Sequence, residues 1–249
     1  MPFLTGGQAL VQSLKREGVT TVFGLPGIQL DWAFDALWEE RAAIQVVHTR
    51  HEQATSYMAD GYARATGKVG TCFVVPGPGF LNASAGLATA YACSSPVLCL
   101  TGQIQSDLIG RGRGVLHEIP DQLATARSLT KWAARATHPT EIPRLIQEAF
   151  RQLRTGRPRP VELEIPPDVL QAAAEVTLLD PRPAPRPAAD PELLEAAARL
   201  LGGARHPLIF VGGGVLASDA GEELRLLAEL LEAPVIPSRN GKGALSDRH

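Results

Sequence analysis

The sequence predicts an α/β protein: a doubly wound, mostly parallel sheet with helices on both faces, followed by an incomplete second α/β unit. Two observations carry that expectation. Short β-branched or apolar runs alternate with segments of helical period, and strands separated by helices imply right-handed crossovers into a parallel sheet. Turns rich in Gly and Pro follow several of these runs, on the rim where such sheets bind their ligands.

The elements follow in order. Over residues 6–18, Ala9, Leu10 and Leu14 recur at helical spacing and Gly18 closes the segment, which predicts a capped amphipathic helix. Residues 20–23 are β-branched and aromatic, and they stop at the turn Gly24-Leu25-Pro26-Gly27. The alternation then predicts a helix over 28–40, a strand over 44–47, a helix over 51–65, a strand over 69–75, a helix over 81–92 and a strand over 96–100. A helix near 141–153 and a strand over 161–165 come next. The run Asp180-Pro181-Arg182-Pro183-Ala184-Pro185-Arg186-Pro187 is too rich in proline for either element and reads as a semi-rigid linker. Beyond it, a helix over 191–201, a strand over 207–211, a helix over 221–231 and a strand over 234–236 begin a second unit. At about 60 residues that unit is below the usual size of a stable α/β domain. The expected division is a first domain over 1–170, a linker over 171–190 and the start of a second domain over 191–249, the whole reading as the front part of a longer polypeptide.

Composition narrows the function classes. The 24 basic and 26 acidic residues are mixed along the chain and leave a net charge of −2, which argues against nucleic acid or an anionic membrane as partner. Cys72 and Cys99 lie in apolar runs and read as reduced core thiols rather than a disulfide framework. With no signal-like start and no apolar run long enough for a membrane span, a cytoplasmic protein is expected.

Chemistry concentrates at the turns. Glu52, in His51-Glu52-Gln53-Ala54, falls in the first turn of an expected helix, where an isolated acid is ordinary because the helix dipole favours it. Its company is less ordinary. Gly24-Leu25-Pro26-Gly27 and Pro76-Gly77-Pro78-Gly79 both follow strands, and glycine at a strand end lets a flat ligand approach the backbone. His48, His51 and Glu52 do not form a metal motif, because His48 ends a strand and the imidazoles do not share a helical face.

Four separated stretches carry a family resemblance: residues 18–27; His51-Glu52-Gln53-Ala54 with Met58-Ala59-Asp60-Gly61-Tyr62-Ala63-Arg64-Ala65-Thr66-Gly67; Gly77-Pro78-Gly79 with Asn82; and Thr101-Gly102-Gln103. In order and spacing they resemble the pyrimidine-binding domain of thiamine-diphosphate enzymes of the acetolactate synthase group. The resemblance covers about residues 4–170, and 207–242 is similar to the start of that family's middle domain.

The resemblance implies a set of roles. Glu52 would be the catalytic carboxylate that hydrogen-bonds the pyrimidine N1′ of thiamine diphosphate, and a proton relay of this kind works best with a carboxyl raised toward the working pH, so a buried Glu52 in an apolar pocket is expected. Pro26 and Gly27 would border the pyrimidine, and Gly79 and Asn82 would line the cofactor from the second loop. The family often has hydroxyl residues before Gly-Pro-Gly, where this chain has Val75-Pro76. Near Leu116-His117-Glu118 the family typically carries Phe-Gln-Glu facing substrate, so Leu116 and His117 become substrate-facing candidates, with Arg111 and Arg113 in a glycine-rich loop beside them. The diphosphate and Mg²⁺ would be held by a third domain carrying Gly-Asp-Gly, a motif the 249 residues lack. Gly212-Gly213-Gly214 lies in a domain that binds FAD in some members and nothing in others. A site between subunits of a homodimer or homotetramer follows, with this chain inactive alone. The implied activity is decarboxylation of a small 2-oxo acid and ligation to a second carbonyl compound; simple decarboxylation and a non-catalytic dimerising or regulatory role are the alternatives.

Overall fold

The chain was analysed as a computed structural model that describes residues 2–184 and 187–249. A short strand, β1 (Phe3–Thr5), runs into helix α1 (Gly6–Arg16). A capping box starts that helix: Thr5 Oγ1 accepts from the Gln8 amide at 3.1 Å, and Gln8 Oε1 accepts from the Thr5 amide at 3.1 Å. Then come β2 (Thr21–Gly24), a single 3₁₀ turn at Ile28–Leu30, α2 (Asp31–Glu39), β3 (Gln45–His48), α3 (Glu52–Thr66) and β4 (Gly70–Val74). Helix α4 (Pro78–Cys93) begins three residues before the expected 81, because Pro78 at its first position supplies a helical φ and no N–H that needs a partner. Strand β5 (Val97–Gly102), α5 (Gln122–Leu129), β6 (Trp132–Arg135), α6 (Ile142–Arg154), β7 (Val161–Ile165), α7 (Pro167–Gln171) and β8 (Ala173–Glu175) complete the first unit.

Six strands form one sheet in the order β3-β2-β4-β5-β7-β6, every neighbouring pair parallel. The chain moves from β2 outward to β3 and returns to the other side of β2 as β4. The ends of β2 and β4 therefore flank a topological switch point, where open α/β sheets bind ligands. One face of the sheet packs α1, α2 and α6 through Leu10, Leu14, Leu37, Ile146 and Phe150 against Val22, Phe73, Leu98 and Leu163. The other packs α3, α4 and α5 through Ala59, Phe80, Leu87 and Ala126 against Phe23, Cys72, Val74 and Cys99. Cys72 and Cys99 are register partners across β4 and β5, both buried and both free thiols.

The expected linker proves shorter on its N-terminal side. β8 pairs antiparallel with β1, and Asp180 accepts from Arg16 Nη1 at 2.5 Å through Oδ1 and from Gln147 Nε2 at 2.7 Å through its carbonyl, so residues 173–180 are held to the first unit. The alternation of strands and helices gave no sign of this pairing because each strand is three residues long. Pro185 and Arg186, inside the expected linker, lie outside the described residues. The chain divides into two compact units, residues 1–185 and 186–249.

In the second unit α8 (Pro191–Gly202) is followed by β9 (Ile209–Val211), α9 (Gly213–Ala217), α10 (Gly221–Leu231) and β10 (Val235–Pro237). β10 pairs parallel with β9, and Val211, Leu224 and Ala244 form a small core. Gly213 and Gly241 serve this packing, since a Cβ on Gly213 would lie 3.1 Å from Asn240 O and one on Gly241 would lie 2.4 Å from Val211 O. Among the described residues no helix is long and apolar enough to cross a membrane.

Phe150 is fully buried where α6 meets the sheet. Phe150→Ala is expected to destabilise the first unit by about 3–5 kcal/mol, the usual cost of a large aromatic lost from a core, read as a lowered denaturant midpoint at unchanged slope.

Candidate functional site

Because the sheet is parallel, the segments that follow β2, β3 and β4 emerge on one rim. Glu52 is the first residue of α3, a helix capped by His51, whose Nδ1 accepts from the Gln53 amide at 3.1 Å. Thr49 Oγ1 donates to His51 O at 3.1 Å and ties the turn between β3 and α3. Asn82, in the first turns of α4, donates through Nδ2 to Glu52 Oε2 at 3.0 Å. Glu52 Oε1 faces Gly79, lying 3.5 Å from the position a Cβ would take there.

Val75 is the piece that joins the two glycine loops. A Cβ on Gly27 would come within 2.4 Å of Val75 Cγ1, and one on Gly79 within 2.5 Å of Cγ2. Both loops thus close on one isopropyl group that only glycines admit, and the result is an apolar wedge beside a single carboxylate. Pro26 lies exposed at the end of the first loop. The departure at Val75-Pro76 from the family's hydroxyl residues is thereby explained: the position packs rather than hydrogen-bonds.

The expectation of a buried Glu52 is not met within this chain. Its carboxylate is half-buried and its partner Asn82 is exposed, because the first turn of α4 covers it from one side. The apolar surroundings are present in Val75 and Gly79; the enclosure is not supplied by these residues.

The third loop reaches the same place. Gly77 has φ 56° and ψ −114°, a conformation open to glycine, and a Cβ there would lie 2.2 Å from His117 O. His117 itself has φ 71°, unusual for a side chain of its size. Its Nδ1 is 3.1 Å from Gln29 Oε1, while Gln29 Nε2 donates to Leu116 O at 3.3 Å. Since the Gln29 amide nitrogen is turned to Leu116, its oxygen accepts from His117 Nδ1–H, which leaves Nε2 as the nitrogen that takes up or gives out a proton. Leu116 is 65% exposed, an apolar side chain on the rim. Arg111 and Arg113 are exposed between Gly110, Gly112 and Gly114, all at positive φ, and Glu118 Oε2 accepts from the Gly114 amide at 2.6 Å. His48 stacks on Phe34 with centroids 6.3 Å apart, consistent with a structural role at the end of β3.

Beneath the rim lies a buried polar network that sequence reasoning did not reach. Glu162 and Glu164 project from β7 between the sheet and its helical cover, and both are fully buried. Thr101 Oγ1 donates to Glu162 Oε1 at 2.5 Å, whereas Glu162 Oε2 has no hydrogen-bond partner among the described residues. Glu164 accepts from Arg135 Nε, from Gln103 Nε2 at 3.1 Å and from Gln122 Nε2 at 2.9 Å. Burial, and next the neighbouring Glu164, push the Glu162 carboxyl well above the usual carboxylate range. Arg135 lies against Glu164 as the cationic partner of the pair. A signal existed in the sequence: in Val161-Glu162-Leu163-Glu164-Ile165 two acids alternate with aliphatics on a strand that becomes covered on both faces, so each must find partners inside. Gln29 and Gln122 gave no comparable signal, being single amides at helix starts.

The chain is similar to known proteins over both units. Residues 4–125 match the family model for the N-terminal TPP binding domain of thiamine pyrophosphate enzymes, and residues 194–249 match the model for their central domain. Over 244 residues the chain is 44% identical to a probable 2-ketoarginine decarboxylase of Pseudomonas aeruginosa, covering 97% of this chain and 43% of that protein. It is 39% identical to a probable acetolactate synthase large subunit of Methanocaldococcus jannaschii, covering 99% of this chain and 42% of the relative. An acetolactate synthase of Arthrospira platensis is 37% identical over 99% of this chain and 43% of its own length. The chain thus spans about two fifths of the length of the curated relatives it matches.

Glu162→Gln keeps the shape of the side chain and removes its titration, so the variant is expected to hold its stability between pH 5 and 8 where the wild type loses it. The wild-type carboxyl keeps its proton in the folded state above the pH at which the unfolded chain releases it, so wild-type stability falls as pH rises above the ordinary carboxylate range. Denaturant titrations from pH 5 to 8 check both points: the slope flattens in the variant, and an unchanged slope contradicts the assignment. With the two family models matched to the two units and the glycine loops closing on Val75 beside Glu52, the chain belongs to the thiamine pyrophosphate enzyme family, among its acetolactate synthase-like members.

Proposed function

We propose that the first unit is the pyrimidine-binding half of a thiamine-diphosphate enzyme that decarboxylates a 2-oxo acid and ligates the product to a second carbonyl compound, with Glu52 as its catalytic carboxylate. The observation that carries this is the placement of one carboxylate against the wedge that Gly27, Val75 and Gly79 build. A flat heteroaromatic ring fits an apolar wall with one acceptor at its edge. Asn82 holds Oε2, so Oε1 is the oxygen left to face the ring and hold a proton at its N1′. Thiamine diphosphate, when bound, supplies a nucleophilic carbon and an electron sink in its thiazolium ring.

In this reading another domain supplies the diphosphate and Mg²⁺ contacts, and a homodimer or homotetramer encloses Glu52 from the side that α4 does not cover. Leu116 and His117 face the substrate, and Arg111 and Arg113 draw its carboxylate toward the rim.

One observation favours simple decarboxylation as the second reading. The His117 ring, oriented by Gln29, presents a nitrogen able to deliver the proton that ends a decarboxylation, and one relative carries the name 2-ketoarginine decarboxylase. Product analysis separates the two readings: an aldehyde alone supports decarboxylation, and a ligated hydroxyketone product supports the synthase.

Glu52→Gln in the full-length enzyme keeps the shape of the side chain and removes its charge. Turnover is expected to fall by about two to four orders of magnitude, as for loss of a group that moves a proton, with substrate saturation little changed. Unchanged turnover would instead support a non-catalytic dimerising or regulatory role.

A further inference from the structure

Gln122 is the first residue of α5 and one of the most buried polar groups of the chain, at 1% exposure. Its carbonyl Oε1 accepts from the Gly77 amide at 2.8 Å. Its amide nitrogen lies 2.9 Å from Glu164 Oε2, 3.0 Å from Gly102 O and 3.1 Å from Thr101 Oγ1, so two N–H groups serve three acceptors. The orientation of the amide is fixed by chemistry, because a backbone N–H must meet the oxygen and a carboxylate must meet the nitrogen. One side chain therefore joins the Gly-Pro-Gly loop to the ends of β5 and β7.

That loop needs such an anchor. Gly77 occupies a conformation that side chains do not adopt, and the turn it makes delivers Gly79 to the Val75 wedge and Asn82 to Glu52. The His117 carbonyl presses on Gly77 from the rim side, within 2.2 Å of where a Cβ would stand. Gln122 holds the same residue from the sheet side. Its other contacts are to groups pinned in their turn: Glu164 by Arg135 and Gln103, and Thr101 by Glu162. A carboxamide held at four points transmits that rigidity to Gly77, whereas an apolar side chain of equal size fills the volume without fixing the amide.

We propose that Gln122 is a positioning residue of the cofactor-facing loop, holding the Gly77 amide so that Gly79 and Asn82 stand at the distances the pyrimidine site requires; this rests on the pyrimidine-site reading above. The residue touches neither substrate nor cofactor and acts through the loop. A merely structural amide would cost stability alone. A positioning amide costs cofactor affinity beyond its cost in stability.

The test uses the full-length enzyme and calorimetric titration of thiamine diphosphate at saturating Mg²⁺, with thermal melting of each variant measured alongside. Gln122→Met is expected to raise the dissociation constant for thiamine diphosphate about tenfold or more. Phe150→Ala, on the opposite face of the sheet and remote from Gly77, is expected to lower the melting temperature while leaving the dissociation constant within about threefold of wild type. Equal weakening in the Gln122→Met and Phe150→Ala variants, or unchanged binding in Gln122→Met, overturns the positioning role. Wild-type enzyme that fails to bind thiamine diphosphate overturns the pyrimidine-site reading itself.

Discussion

A parallel sheet covered by helices on both faces has no access to water, so every polar group placed in its interior must be answered from within. Most of the architecture of the first unit follows from how that constraint is met at β5 and β7. The aliphatic face of each strand packs on α1, α2 and α6. The opposite face carries Thr101, Glu162 and Glu164, and their demands recruit Arg135 from the edge strand, Gln103 from the end of β5 and Gln122 from α5. A hydrophobic residue at any of these places would give a simpler core. The polar set instead narrows the arrangement, because few relative positions of three strands and a helix bring its donors and acceptors together.

The site inherits that order. Its loops are short extensions of interior strands, and their conformations are set by packing rather than by their own hydrogen bonds. Val75 continues β4 by one residue and fills the space between Gly27 and Gly79, so the two loops cannot move independently. Glu52 reaches the same spot from an adjacent strand, through a helix whose start is tied by His51 and Thr49. An acid at a helix start finds its anionic form favoured by the exposed N–H groups, and this accounts for its presence without reference to chemistry. What sets Glu52 apart from an ordinary first-turn acid is that Oε1 turns toward the wedge.

Legibility in the sequence was uneven for physical reasons. Strands 20–23, 44–47, 69–75, 96–100 and 161–165 stood out as short β-branched or apolar stretches between segments of helical period, and the structure places strands there at Thr21–Gly24, Gln45–His48, Gly70–Val74, Val97–Gly102 and Val161–Ile165. The edge strand Trp132–Arg135 and the antiparallel pair of β1 with β8 escaped notice: they are short, partly exposed and fixed by partners distant in sequence. Pro26, Gly27, Glu52, Gly79 and Asn82 were expected at the site because each belongs to a local motif of special backbone or charge. Val75, Gln29 and Gln122 belong to no motif. Their roles exist only after the sheet has brought residues 29 and 117, or 77 and 122, side by side.

Gly77 shows why such long-range partners matter most where backbone is unusual. Its conformation is not one the local sequence enforces, since glycine is permissive and Pro78 restricts it only toward extended values. Something outside the loop must select the observed state. Two groups do so from opposite sides, the His117 carbonyl by steric exclusion and the Gln122 carboxamide by a directed hydrogen bond. Exclusion removes alternatives without preferring a particular one, whereas a hydrogen bond of 2.8 Å prefers one orientation of the peptide. The His117 carbonyl therefore only fills the space above Gly77. The amide beneath fixes the orientation of the peptide, and the fidelity of the glycine loop depends on it.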